Sequence, residues 1–296
     1  MIIDTFLFSE PHESDLLYLK LLLEESQVKY WVLQENAYST KGEFKGLFAH
    51  EVLKEARFAP FRDRMIICSA QTPISNSSEE GDNFQRENWQ RTICLDALKQ
   101  LEFNTGDKIL VTDVDEMIDF SDQTRTDRFF QIVNQHPLQP LWIGRMRYWY
   151  DYDNRAYIPC IRIPVIPIEV LSQHPQLIAQ VRHVHNGPVF EANEEPIAFE
   201  YSYVFKSFED VWRKKVTYAH TGFTQESVRI ALECNHWVRS PDRGETVGTD
   251  SMDWFEKVEL TPLNSPKYVR ENIDILRTKI ISPDYKANRM KRYGHE

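Results

Sequence analysis

Lys108-Ile-Leu-Val-Thr-Asp-Val-Asp-Glu-Met117 is the stretch on which the fold turns. Ile109, Leu110 and Val111 form a short apolar β run that stops at three acids in four residues, Asp113, Asp115 and Glu116. A buried strand that delivers carboxylates to its carboxyl end is how open α/β sheets build ligand sites, because ligands sit beyond the strand ends. Alternate residues of an extended chain project to the same side, so Asp113 and Asp115 aim at one point. Two carboxylates aimed at one point repel unless a cation lies between them. Hard oxygen donors suit Mg²⁺ or Mn²⁺, and Mg²⁺ typically takes one or two carboxylates while substrate phosphates complete its shell. The stretch therefore predicts a metal–diphosphate site. Its plain alternative is a solvated turn in which one acid caps the next helix. The apolar run ahead of the acids and the extra Glu116 weigh against that alternative.

Outward from this strand, the pattern alternates. Ile2–Phe8 reads as a first strand and Asp15–Glu25 as an amphipathic helix with Ser14 as N-cap. Val28–Leu33 is a second strand, Leu47–Arg57 a helix ending before Pro60, and Met65–Cys68 a third strand. Gln71–Asp82 is a polar loop, and Asn83–Leu101 a helix with an apolar stripe through Ile93, Ala97, Leu98 and Leu101. Such alternation predicts an α/β fold with a mostly parallel sheet flanked by helices. The second half carries aromatic strands at Leu141–Tyr150 and Tyr157–Pro167 and a helix near Phe208–Tyr218. Without a Pro/Gly linker, residues 1–296 read as one unit: 1–120 the nucleotide side, 121–296 the acceptor side.

With 296 residues and 42% hydrophobic content, the chain can bury a substantial core. A formal net charge of −10 argues against a nucleic-acid partner, which requires a basic face. Cys68, Cys94, Cys160 and Cys234 make no C-x-x-C and read as buried free thiols of a reducing compartment. Met1-Ile-Ile-Asp4 lacks a basic start, and no window reaches the length of a membrane span, so a soluble, cytoplasmic protein is expected.

Four further segments carry chemistry-bearing residues. Glu87, Gln90 and Arg91 share a helix face, where a surface Glu87–Arg91 pair worth roughly 0.3–0.5 kcal/mol is the plain reading. Arg145-Met-Arg-Tyr-Trp-Tyr-Asp-Tyr-Asp-Asn154 crowds rings against acids, as sugar sites and ordinary cores both do. Arg182-His-Val-His185 puts two imidazoles on one strand face but lacks a third zinc ligand nearby. His220 closes a helix, where it favours the dipole; it is also carried as a further metal-ligand candidate.

Taken in order, Ile3-Asp-Thr-Phe-Leu-Phe8, Ser14-Asp-Leu-Leu17, Glu35-Asn36 with Ser39 and Gly42, Glu87-x-x-Gln90-Arg91, Asp113-Val-Asp-Glu116, Tyr201-Ser-Tyr203 and Lys214…Ala219-His220 resemble glycosyltransferase family 17. This is the family of the β-1,4-mannosyl-glycoprotein 4-β-N-acetylglucosaminyltransferases and their bacterial and viral relatives. The resemblance implies a GT-A-like, Rossmann-like fold and a UDP-sugar donor, UDP-N-acetylglucosamine in known members. It also implies a divalent metal (Mn²⁺ or Mg²⁺), a glycan acceptor and inversion at the anomeric carbon. By position it implies that Asp113 and Asp115 contact the metal and diphosphate, and that Glu35, Asn36, Glu87, Arg91, Asp113 and Val114 belong to the donor site. The chain departs from the family pattern at Phe199-Glu200, where Trp-His is usual, at Lys20 in place of Arg, and at Met117 in place of Ile-Pro.

An inverting transfer needs a carboxylate to take the acceptor proton. The candidates are Glu200, Asp151, Asp153 and Asp250, with Glu200 preferred because it stands where the family pattern changes. Among rivals, a haloacid-dehalogenase-type phosphatase places Thr or Val where Met117 stands and has its D-x-D near the domain start. A sugar nucleotidyltransferase carries a Gly-rich phosphate loop, and Ile2–Ser14 has no glycine. A non-catalytic carbohydrate-binding protein explains the aromatic strands but leaves the acid cluster without a purpose.

Overall fold

The computed structural model describes residues 1–73, 80–157, 162–182, 186–191, 195–217, 223–235, 255–281, 288 and 291. Twelve strands run through these residues: β1 Ile2–Leu7, β2 Val28–Asn36, β3 Met65–Ala70, β4 Lys108–Asp113, β5 Glu116–Ile118, β6 Leu141–Ile143, β7 Met146–Trp149, β8 Asn154–Ala156, β9 Ile163–Pro167, β10 Val189–Phe190, β11 Ala198–Ser202 and β12 Phe255–Lys257. The longer helices that matter below are α1 Ser14–Glu24, α2 Glu80–Gln90, α3 Gln123–Gln135 and α4 Phe208–Thr217.

The main sheet has the order β10-β6-β9-β4-β1-β2-β3. Its β4-β1-β2-β3 half is parallel throughout, while β9 is antiparallel to both β4 and β6. This is the mostly parallel sheet that strand–helix alternation predicts. Ile109, Leu110 and Val111 are all buried. Ile109 and Val111 join a core with Leu98, Ile168 and Ile178, and Leu110 joins the opposite core with Leu17, Leu21 and Phe129 of α1 and α3. A strand covered on both faces reads as a continuous apolar run for this reason.

A second sheet, ordered β12-β8-β7-β11-β5, stands beside the first. Helix α1 lies between the two: Leu17 and Leu21 pack toward the main sheet, while Leu16, Leu19 and Leu23 pack with Tyr148, Trp149 and Tyr201. A helix apolar all round is one buried all round. Lys20, fully buried within it, bonds the Glu116 carbonyl at 2.6 Å and Thr112 Oγ1 at 3.0 Å, and pairs with Asp4 and Glu24.

Several boundaries differ from the pattern-based expectation. The run Leu141–Tyr150 splits at Gly144-Arg145 into β6 and β7, which join different sheets. The Asn83–Leu101 helix breaks after Gln90 and resumes as Leu95–Leu98, and the chain passes Pro60 in 3₁₀ turns. Ser14 does not cap α1, because the 3₁₀ turn Pro11–Glu13 leads into the helix. Tyr148, Trp149, Tyr150 and Tyr152 are core residues of the second layer, so the ring-rich segment is packing. Cys68 and Cys94 are buried free thiols, Cys234 is buried, and Cys160 lies outside the described residues. No helix among the described residues is long and apolar enough to cross a membrane.

Candidate active site

Between β1 and β4 the sheet reverses its direction of growth: β2 and β3 follow on one side of β1, and the chain then returns to lay β4 on the other. Loops leaving such a switch point diverge and leave a crevice beyond the carboxyl ends of the strands. Leu7 ends β1 directly beside Asp113, which ends β4. A narrow cleft opens there. Its walls are Ser9, Glu10, His12 and Glu13 after β1, Thr40 after β2, Glu87 and Gln90 of α2, Asp113 and Val114, and Lys214 and Thr217 of α4.

Behind this wall the acids of the D-x-D segment are tied into one network of ion pairs. Asp113 Oδ1 accepts from Arg91 at 2.6 Å and its Oδ2 from Arg182 at 2.9 Å. Glu116 takes Arg182 at 2.6 Å and Arg145 at 2.8 Å, and also accepts the Asp113 amide at 3.0 Å. Asp115 turns the other way: its Oδ2 accepts from Lys214 at 2.8 Å and lies 3.1 Å from Ser202 Oγ. Ser202 Oγ is also 2.6 Å from Glu200, which Arg145 and Arg147 hold at 2.5 and 2.8 Å. The backbone closes the junction, with the Tyr201 amide donating to the Asp115 carbonyl at 2.9 Å.

The charges respond accordingly. Burial alone would lift the Asp113 carboxyl, but Arg182 and Arg91 outweigh it and hold the group well below its ordinary range. Glu200 is likewise held far down by Arg145 and Arg147 against burial. Asp115 differs: burial pushes it up to about 6, opposed by Lys214 and reinforced by Glu200, Asp113 and Glu116. Burial works against the Lys214 charge too, yet Asp115 and Glu13 keep its ammonium protonated well beyond the ordinary lysine range. Its neighbour Lys215 has no such partners among the described residues; burial, then Lys214 and Arg147, bring it down to about 7. Lys215 sits instead over the rings of Tyr203 and Phe223, at 4.4 and 4.7 Å. Tyr203 is held at φ 58 at the end of β11, a conformation uncommon for a bulky side chain and typical of functional sites.

The residues singled out from the sequence have separate fates. Asp113, Val114 and Glu87 line the cleft, and Arg91 bridges Glu87 and Asp113 from a fully buried position instead of a surface one. Glu35 is not on the cleft wall: its carboxylate is taken by the backbone amides of Phe48 and Ala49 at a helix start. Asn36 donates to the Thr72 carbonyl at 3.3 Å and is also outside the cleft lining. Among the proposed bases, Asp151 and Asp153 pair with Lys257 at 2.6 and 2.5 Å and with Arg277, which ties down the 255–281 segment. Glu200 is locked in the network one hydroxyl away from Asp115, so the departure from the family pattern falls beside the D-x-D. Asp250, His220, His183 and His185 lie outside the described residues.

Residues that pattern reading passed over complete the wall. Glu10 is a cleft acid whose carboxyl rises, first through burial, with Arg213 no nearer than 3.7 Å. His12 has both ring nitrogens buried without a hydrogen-bond partner among the described residues, stands edge-on to Phe205 at 4.7 Å, and is driven toward its neutral form by burial. Arg145, Arg182 and Lys214 supply the counter-charge. Three acids in four residues after a buried strand signalled that cations were needed, but nothing local said which ones.

This arrangement does not fit the expected divalent metal. Asp113 and Asp115 diverge, both oxygens of Asp113 are occupied by guanidinium groups, and Lys214 takes Oδ2 of Asp115. Where the family has a histidine, the commonest metal ligand, Glu200 is neutralised by two arginines.

The family profile described as Glycosyltransferase family 17 matches residues 1–230. No curated protein matches the chain. Among solved structures, mannose-6-phosphate isomerase from Helicobacter pylori superposes with a TM-score of 0.33 at 12% identity, covering 60% of this chain and 76% of that one. An active-site mutant of LgtC superposes with a TM-score of 0.34 at 9% identity, covering 97% and 99%. Likenesses this slight carry no functional inference, and the profile match stands by itself.

Proposed function

The chain belongs to glycosyltransferase family 17, and from that premise we propose that it moves N-acetylglucosamine from a UDP-sugar to a glycan hydroxyl with inversion. The observation that carries this reading is the cleft at the β1/β4 switch point, where acids, amides, hydroxyls and one ammonium converge at the strand ends. That is where an open parallel sheet receives a nucleotide.

In this reading the donor lies in the cleft with its diphosphate toward Asp113, Val114 and Lys214. Thr40, Gln90 and Ser9 offer polar groups for the nucleotide and sugar. The acceptor hydroxyl attacks the anomeric carbon from the face opposite the diphosphate. The new C–O bond forms as the old one breaks, the electron pair leaves on the diphosphate, and a carboxylate takes the hydroxyl proton. Glu200 is a poor proton acceptor because Arg145 and Arg147 already stabilise its ionised form, and Asp151 and Asp153 lie outside the cleft lining, paired with Lys257 and Arg277. We assign the proton to Glu10, an acid of the cleft wall whose carboxyl burial raises above its ordinary value. Glu10→Gln is expected to lower kcat by about 10²-fold with little change in the donor KM.

The direct test is calorimetric titration of the full chain with UDP-N-acetylglucosamine, UDP-glucose and GDP-mannose, followed by mass spectrometry of a glycan acceptor mixture. A product heavier by one N-acetylhexosamine supports the reading. The absence of affinity for any UDP-sugar, with chelator or with Mn²⁺, overturns it.

A further inference from the structure

We infer that Lys214 is a tethered cation that takes the place of a divalent metal, its ammonium neutralising the donor's diphosphate as the sugar departs. The inference rests on the glycosyl-transfer reading and deepens it. Lys214 reaches from α4 into the cleft wall that also holds Asp113 and Val114. Its Nζ sits between carboxylates of two separate segments, 2.8 Å from Asp115 and 3.3 Å from Glu13. A positive charge bridging two acids at the end of a parallel strand is what the D-x-D pattern asks of a metal ion, and here a side chain provides it. The carboxylates of Asp113 and Glu116 are already committed, Asp113 to Arg91 and Arg182, Glu116 to Arg145 and Arg182. An incoming divalent cation would have to displace these guanidinium groups or sit against their charges.

Lysine suits this task better than arginine. Its ammonium is a compact point charge with three donors on a flexible stem, so it can keep Asp115 while turning from Glu13 toward a phosphate oxygen. The rings of Phe205 and Tyr203, at 5.7 and 5.9 Å, flank the ammonium and give it a polarisable, water-poor wall. Arg91 and Arg182 stay behind Asp113 and hold that carboxylate so that it does not repel the phosphates. In the chemical step the sugar C–O bond breaks, its electron pair stays on the diphosphate oxygen, and Lys214 offsets that charge without giving up a proton.

The test is titration of UDP, UDP-N-acetylglucosamine and uridine into the full chain in EDTA and then in Mn²⁺, for the wild type, Lys214→Gln and Lys214→Arg. The wild type is expected to bind UDP equally in both media. Lys214→Gln is expected to weaken UDP by about tenfold or more while uridine affinity is kept, and Lys214→Arg to recover part of the loss. Retained uridine affinity shows that the variant is folded. Strict dependence of UDP binding on Mn²⁺, or unchanged UDP affinity in Lys214→Gln, overturns this assignment and leaves glycosyl transfer standing. No UDP or UDP-sugar affinity in either medium overturns both.

Discussion

Two tripeptides of this chain have the same form: Asp113-Val-Asp115 after β4 and Asp151-Tyr-Asp153 after β7. Each follows a strand, and each lies among cations. The first ends a parallel strand beside β1, where the sheet turns back on itself, and it borders a cleft. The second lies at the tight β7–β8 connection, where Lys257 and Arg277 close over it and fasten the C-terminal segment. Chemistry of the motif does not separate the two. Topology does, because only strand ends at a switch point leave room for a ligand.

Substitution can break this contrast. The largest effect is expected from Asp113→Ala, which leaves Arg91 and Arg182 buried without their shared carboxylate. A loss of about 3–5 kcal/mol in urea denaturation is expected, together with loss of UDP affinity. A change below about 1 kcal/mol would mean that the network is not a structural unit.

The next effect is in pH dependence. The folded value of Asp115, about 6, lies above its ordinary 3.8, so folding favours its protonated form. The stability it contributes is therefore whole below about pH 4 and is lost as pH rises through about 6. The advantage of wild type over Asp115→Asn is expected to shrink by on the order of 2 kcal/mol between pH 4 and 7. An advantage that grows over that interval would contradict the burial and crowding assigned to this group.

The smallest effect is expected at the second tripeptide. Lys257 and Arg277 are partly exposed and can turn to water, so Asp151→Ala should cost about 1–2 kcal/mol. It should speed amide exchange across residues 255–281 and leave UDP affinity unchanged. Loss of nucleotide binding in this variant would erase the distinction between the two sites.

Local pattern carried much of the fold. The apolar run of β4, the strands before it and the alternation with helices were legible because burial on both faces needs unbroken apolar residues. The helix face of Glu87, Gln90 and Arg91 was legible in position but not in depth, since 3.6-residue spacing shows which residues share a face and not what covers it. Leu141–Tyr150 misled for a similar reason: alternation identifies extended chain, and Gly144-Arg145 hands it from one sheet to the other without interrupting that signal. The rings of Tyr148 to Tyr152 fitted a sugar platform or a core equally well until the second sheet and α1 were seen to enclose them.

By itself the sequence determined the strand that carries the acids, the parallel half of the main sheet and the family, all of which depend on residues close in the chain or on their order. Only the tertiary structure decided which cations meet those acids. Arg91, Arg145, Arg182 and Lys214 come from segments 22 to 99 residues away from the acids they serve, and no local spacing encodes such a meeting. A buried carboxylate must find an opposite charge, but the partner is chosen by the packing that brings distant segments together.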